Sequence, residues 1–156
     1  QGANDNKLLA RGHGVRRWAG VLTLDPNGSM AMEGQRHPIT KAGIRNLTNE
    51  IIHIAENDMK YGECSVNVYP NEKNDDRPAL MIEAIHPVAR KEFKFHIARI
   101  YIDREYRVPV RFEAYSWPTE AGGKPVLEEQ YVYTRLKFNN GFKIGDFSTS
   151  NPNYFK

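Results

Sequence analysis

Apolar and polar side chains alternate along three long stretches in the second half of the chain. They run from Phe93 to Asp103, from Val108 to Trp117 and from Leu127 to Phe138. β-branched and aromatic residues fill them, the period is two and the gaps are polar, so the pattern predicts a three-stranded β-meander. Asp103 to Arg107 makes the first turn and Pro118 to Pro125 the second, longer loop. In the middle strand Val108, Val110, Phe112 and Ala114 share one face, and Arg111, Glu113 and Tyr115 the other. One dry and one wet face is what an antiparallel sheet permits. The third strand mixes the two kinds on both faces, which predicts a passage from a covered region to an open one.

Between Thr40 and Tyr61 the period changes. Ile44, Leu47, Ile51, Ile54, Ala55 and Met59 recur at helical spacing and make one apolar stripe. Thr40 is the predicted N-cap and Gly62 the stop. Such a helix needs an apolar surface, and the sheet is the candidate. Further strands are predicted at Lys7–Gly14, Ala19–Leu24, Cys64–Tyr69 and Ala79–Ile85. Asp25-Pro26-Asn27-Gly28 is a turn signal. Met30 to Met32 is apolar but brief. Pro70 to Pro78 reads as a polar loop and Asn139-Asn140-Gly141 as a turn. Lys143 to Phe147 reads as a one-turn helix or closing segment, and Tyr154 and Phe155 are expected to tuck against the body. Many strands, one long helix and short connections give an α+β protein with an antiparallel sheet, as a single domain over residues 1–156.

Composition narrows the function classes. The chain has 156 residues, 40% hydrophobic and 26% charged, and a net charge of +3. Its basic residues form no run beyond the pairs Arg16-Arg17 and Arg90-Lys91, so nucleic acid is not an expected partner. Cys64 is the single cysteine, which excludes an internal disulfide and a cysteine-rich metal site. No apolar run approaches the roughly 18 residues of a transmembrane helix. The sequence starts at Gln1 without Met, which fits removal of upstream residues.

The most unusual local sequence is Arg36-His37-Pro38-Ile39-Thr40. Arg36 and His37 at a helix start fit an anion site or an acid–base group. The simpler reading is a helix cap, in which His37 and Thr40 satisfy orphan amides at the helix start and Pro38 fixes how the chain enters. Glu50-Ile51-Ile52-His53 has half the spacing of a carboxylate-bridged metal pair and is read, with Glu56, as a solvated helix face. The five histidines show no zinc spacing, and no cofactor fingerprint occurs, so neither metal nor cofactor is expected. Cys64 reads as a small hydrophobe. Trp18, Tyr115, Trp117, Tyr131 and Tyr133 form an aromatic set that fits either cross-strand stabilisation or the lining of an apolar cavity.

The runs "LTLDPNGSMAMEGQRHPITKAGIRNL", "IYIDREYRVPVRFEAYSWP", "PVLEEQYVYTRLKFNNGF" and "DFSTSNPNYF" resemble a family of exported bacterial proteins known only as a domain of unknown function. The resemblance runs from Lys7 onward, with "RHPIT" and "EAYSWP" its most specific parts. It implies a periplasmic or secreted location, and a chain that is the C-terminal part of a longer family domain. Asp103, Pro109, Arg111, Glu113 and Tyr115 also resemble the hairpin of the outer-membrane lipoprotein carrier (LolA-like) fold. That resemblance implies a curved, half-barrel-like antiparallel sheet with the amphipathic helix packed on its apolar face.

The expected function is therefore a non-catalytic exported protein that binds a lipid, a lipoprotein or another apolar ligand in the curved sheet. The ligand-binding candidates are Arg36, His37, Tyr115, Trp117, Tyr131 and Tyr133. The alternatives are a cell-envelope hydrolase of glycans or esters, with His37 and Asp103 or Glu129 as acid and base, and a structural module whose sheet edge pairs with a partner.

Overall fold

The computed structural model describes residues 3–12, 14, 18, 20–148 and 150–153. Expectations placed on His13, Arg16, Arg17, Ala19, Tyr154 and Phe155 lie outside them. The elements in order are β1 (Leu8–Arg11), β2 (Val21–Leu24), α1 (Ser29–Met32), α2 (Ile44–Asp58), β3 (Ser65–Asn74), β4 (Arg77–Ile85), β5 (Ile97–Asp103), β6 (Pro109–Ser116) and β7 (Val126–Val132). The fold is α+β with every strand pairing antiparallel. The chain forms two compact units, residues 1–42 with 137–156, and residues 43–136.

In the first unit β1 and β2 make a two-stranded sheet, with Leu8 opposite Leu24. The Asp25 carboxylate accepts the Asn27 N–H at 2.8 Å and closes the following turn. Met30 to Met32, apolar but short, becomes the one-turn helix α1. Short 3-10 turns at Ala3–Asn6, Ile39–Lys41 and Ile144–Phe147 also belong to this unit.

The second unit is an open five-stranded sheet in the order β3-β4-β5-β6-β7, with α2 on one face. Leu47, Ile51 and Ile54 pack against Phe95, Phe112 and Ala114. The centre of the stripe and its sheet support are thus as the periodicity predicts, whereas Ala55 is exposed and Met59, beyond the end of α2, is 69% exposed. The helix start also differs. Ala42 closes the preceding 3-10 turn by donating to the Ile39 carbonyl, and the chain then swings through Gly43 at φ 108°. That conformation suits glycine alone. The helix therefore opens at Ile44, and Thr40 is no cap for it. Gly62, in the left-handed region at φ 64°, ends the following 3-10 turn.

Three strand boundaries also differ from the pattern. The loop expected over Pro70–Pro78 is paired: β3 and β4 continue to a two-residue turn at Asp75-Asp76, with φ 51° and 61°. This is the twist a tight hairpin needs, and aspartate tolerates it better than most residues. Pro70 fits because β3 is an edge strand, with an irregular register between Tyr69 and Glu72. Residues 93–96 precede β5 instead of extending it. In the last strand, β7 stops at Val132. Tyr133 still donates to the Val110 carbonyl, but Asn74 Nδ2 then donates to the Tyr133 carbonyl at 3.1 Å, and Arg135 N–H to the Asp75 carboxylate at 2.9 Å. Tyr133–Leu136 is thus a strap that reaches the β3–β4 hairpin. Leu136 packs on the cluster of Ala79, Met81, Tyr101 and Val110.

That cluster corrects the reading of β6. The register shifts between Tyr101 and Ile102, so Val110 joins Ala79, Met81 and Tyr101, and Phe112 and Ala114 join Phe95. A bulge re-aims side chains in this way. The nominally dry face of β6 therefore feeds two separate clusters.

The β5–β6 turn is fixed by Asp103, which is 2% exposed. Its carboxylate takes Arg77 Nε at 2.6 Å and Nη2 at 3.1 Å, and the amides of Glu105 and Tyr106 at 3.0 and 2.9 Å. The Arg77 guanidinium, helped by the two amides, outweighs burial and lowers the carboxyl from 3.8 to about 2. A lowered carboxyl stabilises the fold above its unfolded value, and the contribution is lost as pH falls through the folded value. Asp103→Asn should cost about 2 kcal/mol at pH 7. Urea titrations should show the wild-type advantage shrinking between pH 4 and about 2.

Candidate functional site

The five strands carry two different surfaces. On one face, the register aligns a single polar row across the whole sheet: Asn67 opposite Glu83, Glu83 opposite Arg99, Arg99 opposite Glu113 and Glu113 opposite Gln130. Glu83 is 7% exposed and Glu113 3%. Buried carboxylates need charged and hydrogen-bonding partners, and both have them. Arg99 Nε donates to Glu83 at 2.8 Å, with the Tyr69 hydroxyl at 3.3 Å. Glu113 receives Arg111 through Nε at 2.8 Å and through Nη2, Gln130 Nε2 at 2.9 Å and the Tyr115 hydroxyl at 3.0 Å. The guanidinium of Arg99 lies 5.2 Å from the Tyr115 ring centre, and that of Arg111 lies 4.8 Å from the Tyr101 ring centre.

Burial alone raises a carboxyl, but the arginine and amide bonds prevail, so Glu83 and Glu113 are both held below the ordinary range. Burial pushes the Tyr101 phenol up, and burial together with the bond to Glu113 does the same for Tyr115. At neutral pH the carboxylates are charged and these two phenols protonated. The row holds and orients groups, and none of these four side chains is poised to exchange a proton near pH 7.

The opposite face is apolar and also runs in register. One row is Val68–Ile82–Ile100–Phe112–Tyr131, and the next is Val66–Ala84–Ala98–Ala114–Glu129. The alanines leave room for α2 to approach: its Leu47, Ile51 and Ile54 pack against the cluster of Phe95, Phe112 and Ala114, which Ala98, Ile100 and Tyr131 also border. The β3 end of both rows is open: Val66 is 60% and Val68 58% exposed.

A buried polar pair ties the end of α2 to the sheet. His86 Nδ1 lies 2.9 Å from the Phe95 carbonyl, and Nε2 lies 3.2 Å from Asp58 Oδ2. The carbonyl only accepts, so Nδ1 carries a proton and Nε2 is the atom that meets the carboxylate. The ring stacks on Phe93 at 4.2 Å. Cys64 is half-buried, and burial with the nearby Asp58 charge pushes its thiol up, away from nucleophilic character.

The expected ligand-binding residues are distributed over both units and, within the second, over more than one surface. Arg36 and His37 precede the Ile39–Lys41 turn in the first unit, so they do not stand at the start of α2. Tyr115 belongs to the polar row. Tyr131 lies on the other face, its ring 6.3 Å from Phe112. Tyr133 is in the strap. Trp117, just beyond β6, has its ring 5.5 Å from that of His96. Asp103 is consumed by its clamp. Glu129, the other carboxylate weighed as an acid or base, is buried on the helix face, with the Tyr131 hydroxyl at 3.5 Å from it.

Pattern reading missed Asn67, Tyr69, Glu83, Arg99 and Gln130 as a group. A signal existed: Glu83 in Met81-Ile82-Glu83-Ala84-Ile85 and Arg99 in Ile97-Ala98-Arg99-Ile100 are single charges inside apolar strands. Glu83-Ala84-Ile85-His86 is also a second Glu-x-x-His spacing beside that of Glu50 and His53. It begins in a strand, where positions three apart face opposite ways, and does not make the helical metal motif. Among the described residues no group of three or more His, Cys, Asp or Glu is arranged to hold a metal ion. No described helix is long and apolar enough to cross a membrane.

Searches of curated proteins and of solved structures each return no match. A family model described as a protein of unknown function, DUF1571, matches residues 1–155, and the chain therefore belongs to that family.

Proposed function

We propose that this chain is a non-catalytic, exported binding protein that takes an acyl chain against the uncovered end of its apolar sheet face. The observation that supports this reading is the open pair Val66 and Val68, which continue the two apolar rows and stay outside the cluster on which α2 packs. An apolar strip of this kind, continuous with the core and uncharged along Val68, Ile82 and Ile100, suits a hydrocarbon chain better than a polar substrate. The polar row on the reverse face supports the non-catalytic part. Glu83 and Glu113 are already neutralised by arginines and lack the proton a general acid must give.

Native mass spectrometry of protein purified from its own host tests the proposal. A lipid-sized adduct should be present and should vanish after organic extraction. Re-addition of a fatty acid to the extracted protein should restore it, and Val68→Glu should weaken that uptake about tenfold or more, since a buried charge replaces an apolar contact. A clean apo mass before extraction, with no uptake afterward, overturns the reading.

A further inference from the structure

We propose that the segment from Lys137 to Phe147 is a membrane-docking loop that seats this protein on a bilayer with anionic head groups. Large apolar side chains stand out of this segment one after another: Phe138, Phe142, Ile144 and Phe147 are all exposed, Ile144 at 97%. Phe142 and Phe147 keep their rings 5.3 Å apart, so these two form one patch. Several polar groups here are engaged by backbone. The Asp146 carboxylate is half-buried and accepts the Lys143 N–H at 2.6 Å, and the Asp146 amide donates back to the Lys143 carbonyl at 3.0 Å. Asn151 Nδ2 holds the Asp146 carbonyl at 2.8 Å, and Asn140 Nδ2 holds the Lys137 carbonyl at 2.9 Å. The one-turn helix Ile144–Phe147 is therefore capped from within, and its capping presents Ile144 outward.

An exposed apolar cluster of this kind marks a surface that meets another phase or another molecule. The charge around it selects a lipid surface. Lys137 adjoins Phe138 and Lys143 stands between Phe142 and Ile144 in the sequence, and from Lys137 to Lys156 there are three lysines and a single acid, Asp146, which is already engaged by backbone. Aromatic and aliphatic tips with lysines beside them match the boundary between acyl chains and anionic head groups. This inference does not depend on acyl-chain uptake at Val66 and Val68, because it concerns different residues and a different measurement.

Co-sedimentation with vesicles is the test, using phosphatidylcholine alone and phosphatidylcholine with about one-third phosphatidylglycerol. The wild-type protein should sediment with the anionic vesicles and less with the neutral ones, and salt should reduce the difference. Phe142→Ser with Ile144→Ser should lower partitioning about tenfold or more with an unchanged thermal unfolding curve. Lys137→Gln with Lys143→Gln should remove the anionic preference and leave the neutral partitioning. Wild-type protein that sediments with neither vesicle overturns the proposal. So does a double-serine variant that partitions like wild type. Self-association of the wild type that the serine variant abolishes, without vesicle binding, assigns the patch to a protein interface instead.

Discussion

Arg111→Met is expected to destabilise the protein by about 3–5 kcal/mol, more than neutralising the carboxylate it serves by Glu113→Gln. The asymmetry follows from where the charges lie. The Arg111 side chain is 31% exposed, so water solvates it in part when its partner is lost. Glu113, almost fully buried, keeps only Gln130 and Tyr115 when the guanidinium is removed. A buried charge without a counter-charge is the costly state. Glu113→Gln removes the charge itself and retains the shape and two hydrogen-bonding atoms, so its cost should be nearer about 1–2 kcal/mol. The double variant should be more stable than Arg111→Met alone, because it no longer buries an uncompensated carboxylate. Urea unfolding of the four proteins at pH 7 measures all three differences. If Arg111→Met is milder than Glu113→Gln, the row is not held together as described.

Phe112→Ala should cost a similar amount, about 3–5 kcal/mol, by a different route. Phe112 is buried between the ring of Phe95 at 6.0 Å and that of Tyr131 at 6.3 Å, beneath the Leu47, Ile51 and Ile54 stripe of α2. Truncation leaves a cavity under the helix, and the alanines beside it have no bulk with which to fill it. The loss should therefore be read locally as well as globally. Amides of α2 should exchange with solvent faster, while those of β4 and β5 lose protection only with the global stability. Hydrogen exchange followed by mass spectrometry separates the two patterns. Equal loss of protection in helix and strands would mean that Phe112 supports the whole sheet and not the helix seat.

The helix seat was legible in the sequence because it rests on two periodicities that coincide. The 3.6-residue stripe of Leu47, Ile51 and Ile54 and the alternation of Phe112 and Ala114 each demand an apolar partner, and each is the other's partner. The helix start was not legible, because Thr40 is a good cap by chemistry, and only the backbone swing at Gly43 shows that the chain does not use it. Pro70 and Pro78 read as loop residues, yet an edge strand and its neighbour's opening positions accept them. The strand predicted to Phe138 ends at Val132 because the next residues bond to Asn74 and Asp75, contacts that alternation along one strand cannot encode.

The polar row shows the same limit at the candidate site. Alternation places Glu113 on the wet face of its strand, but it does not pair Glu83, Arg99 and Glu113 with one another. Register places them opposite one another, and register depends on turn lengths and bulges summed over the sheet. The aromatic residues show the converse limit. Tyr115 and Tyr131 belong to neighbouring strands and share a chemistry, but they stand on opposite faces.

The order of strands in the larger sheet also determines how the chain is assembled in time. Every pairing from β3 to β7 joins sequence neighbours, so each hairpin forms by closing a short loop. Topologies of this kind fold quickly for β-rich proteins, because few distant segments must find each other. The strap is the exception: Asn74 and Tyr133 are 59 residues apart, as are the sheet edges they join. Its closure spans a longer loop than any of the hairpins and is expected to come after them, so Asn74→Ala should slow refolding less than it speeds unfolding. The strap thus acts as a late clasp, whose opening sets how long the finished sheet survives.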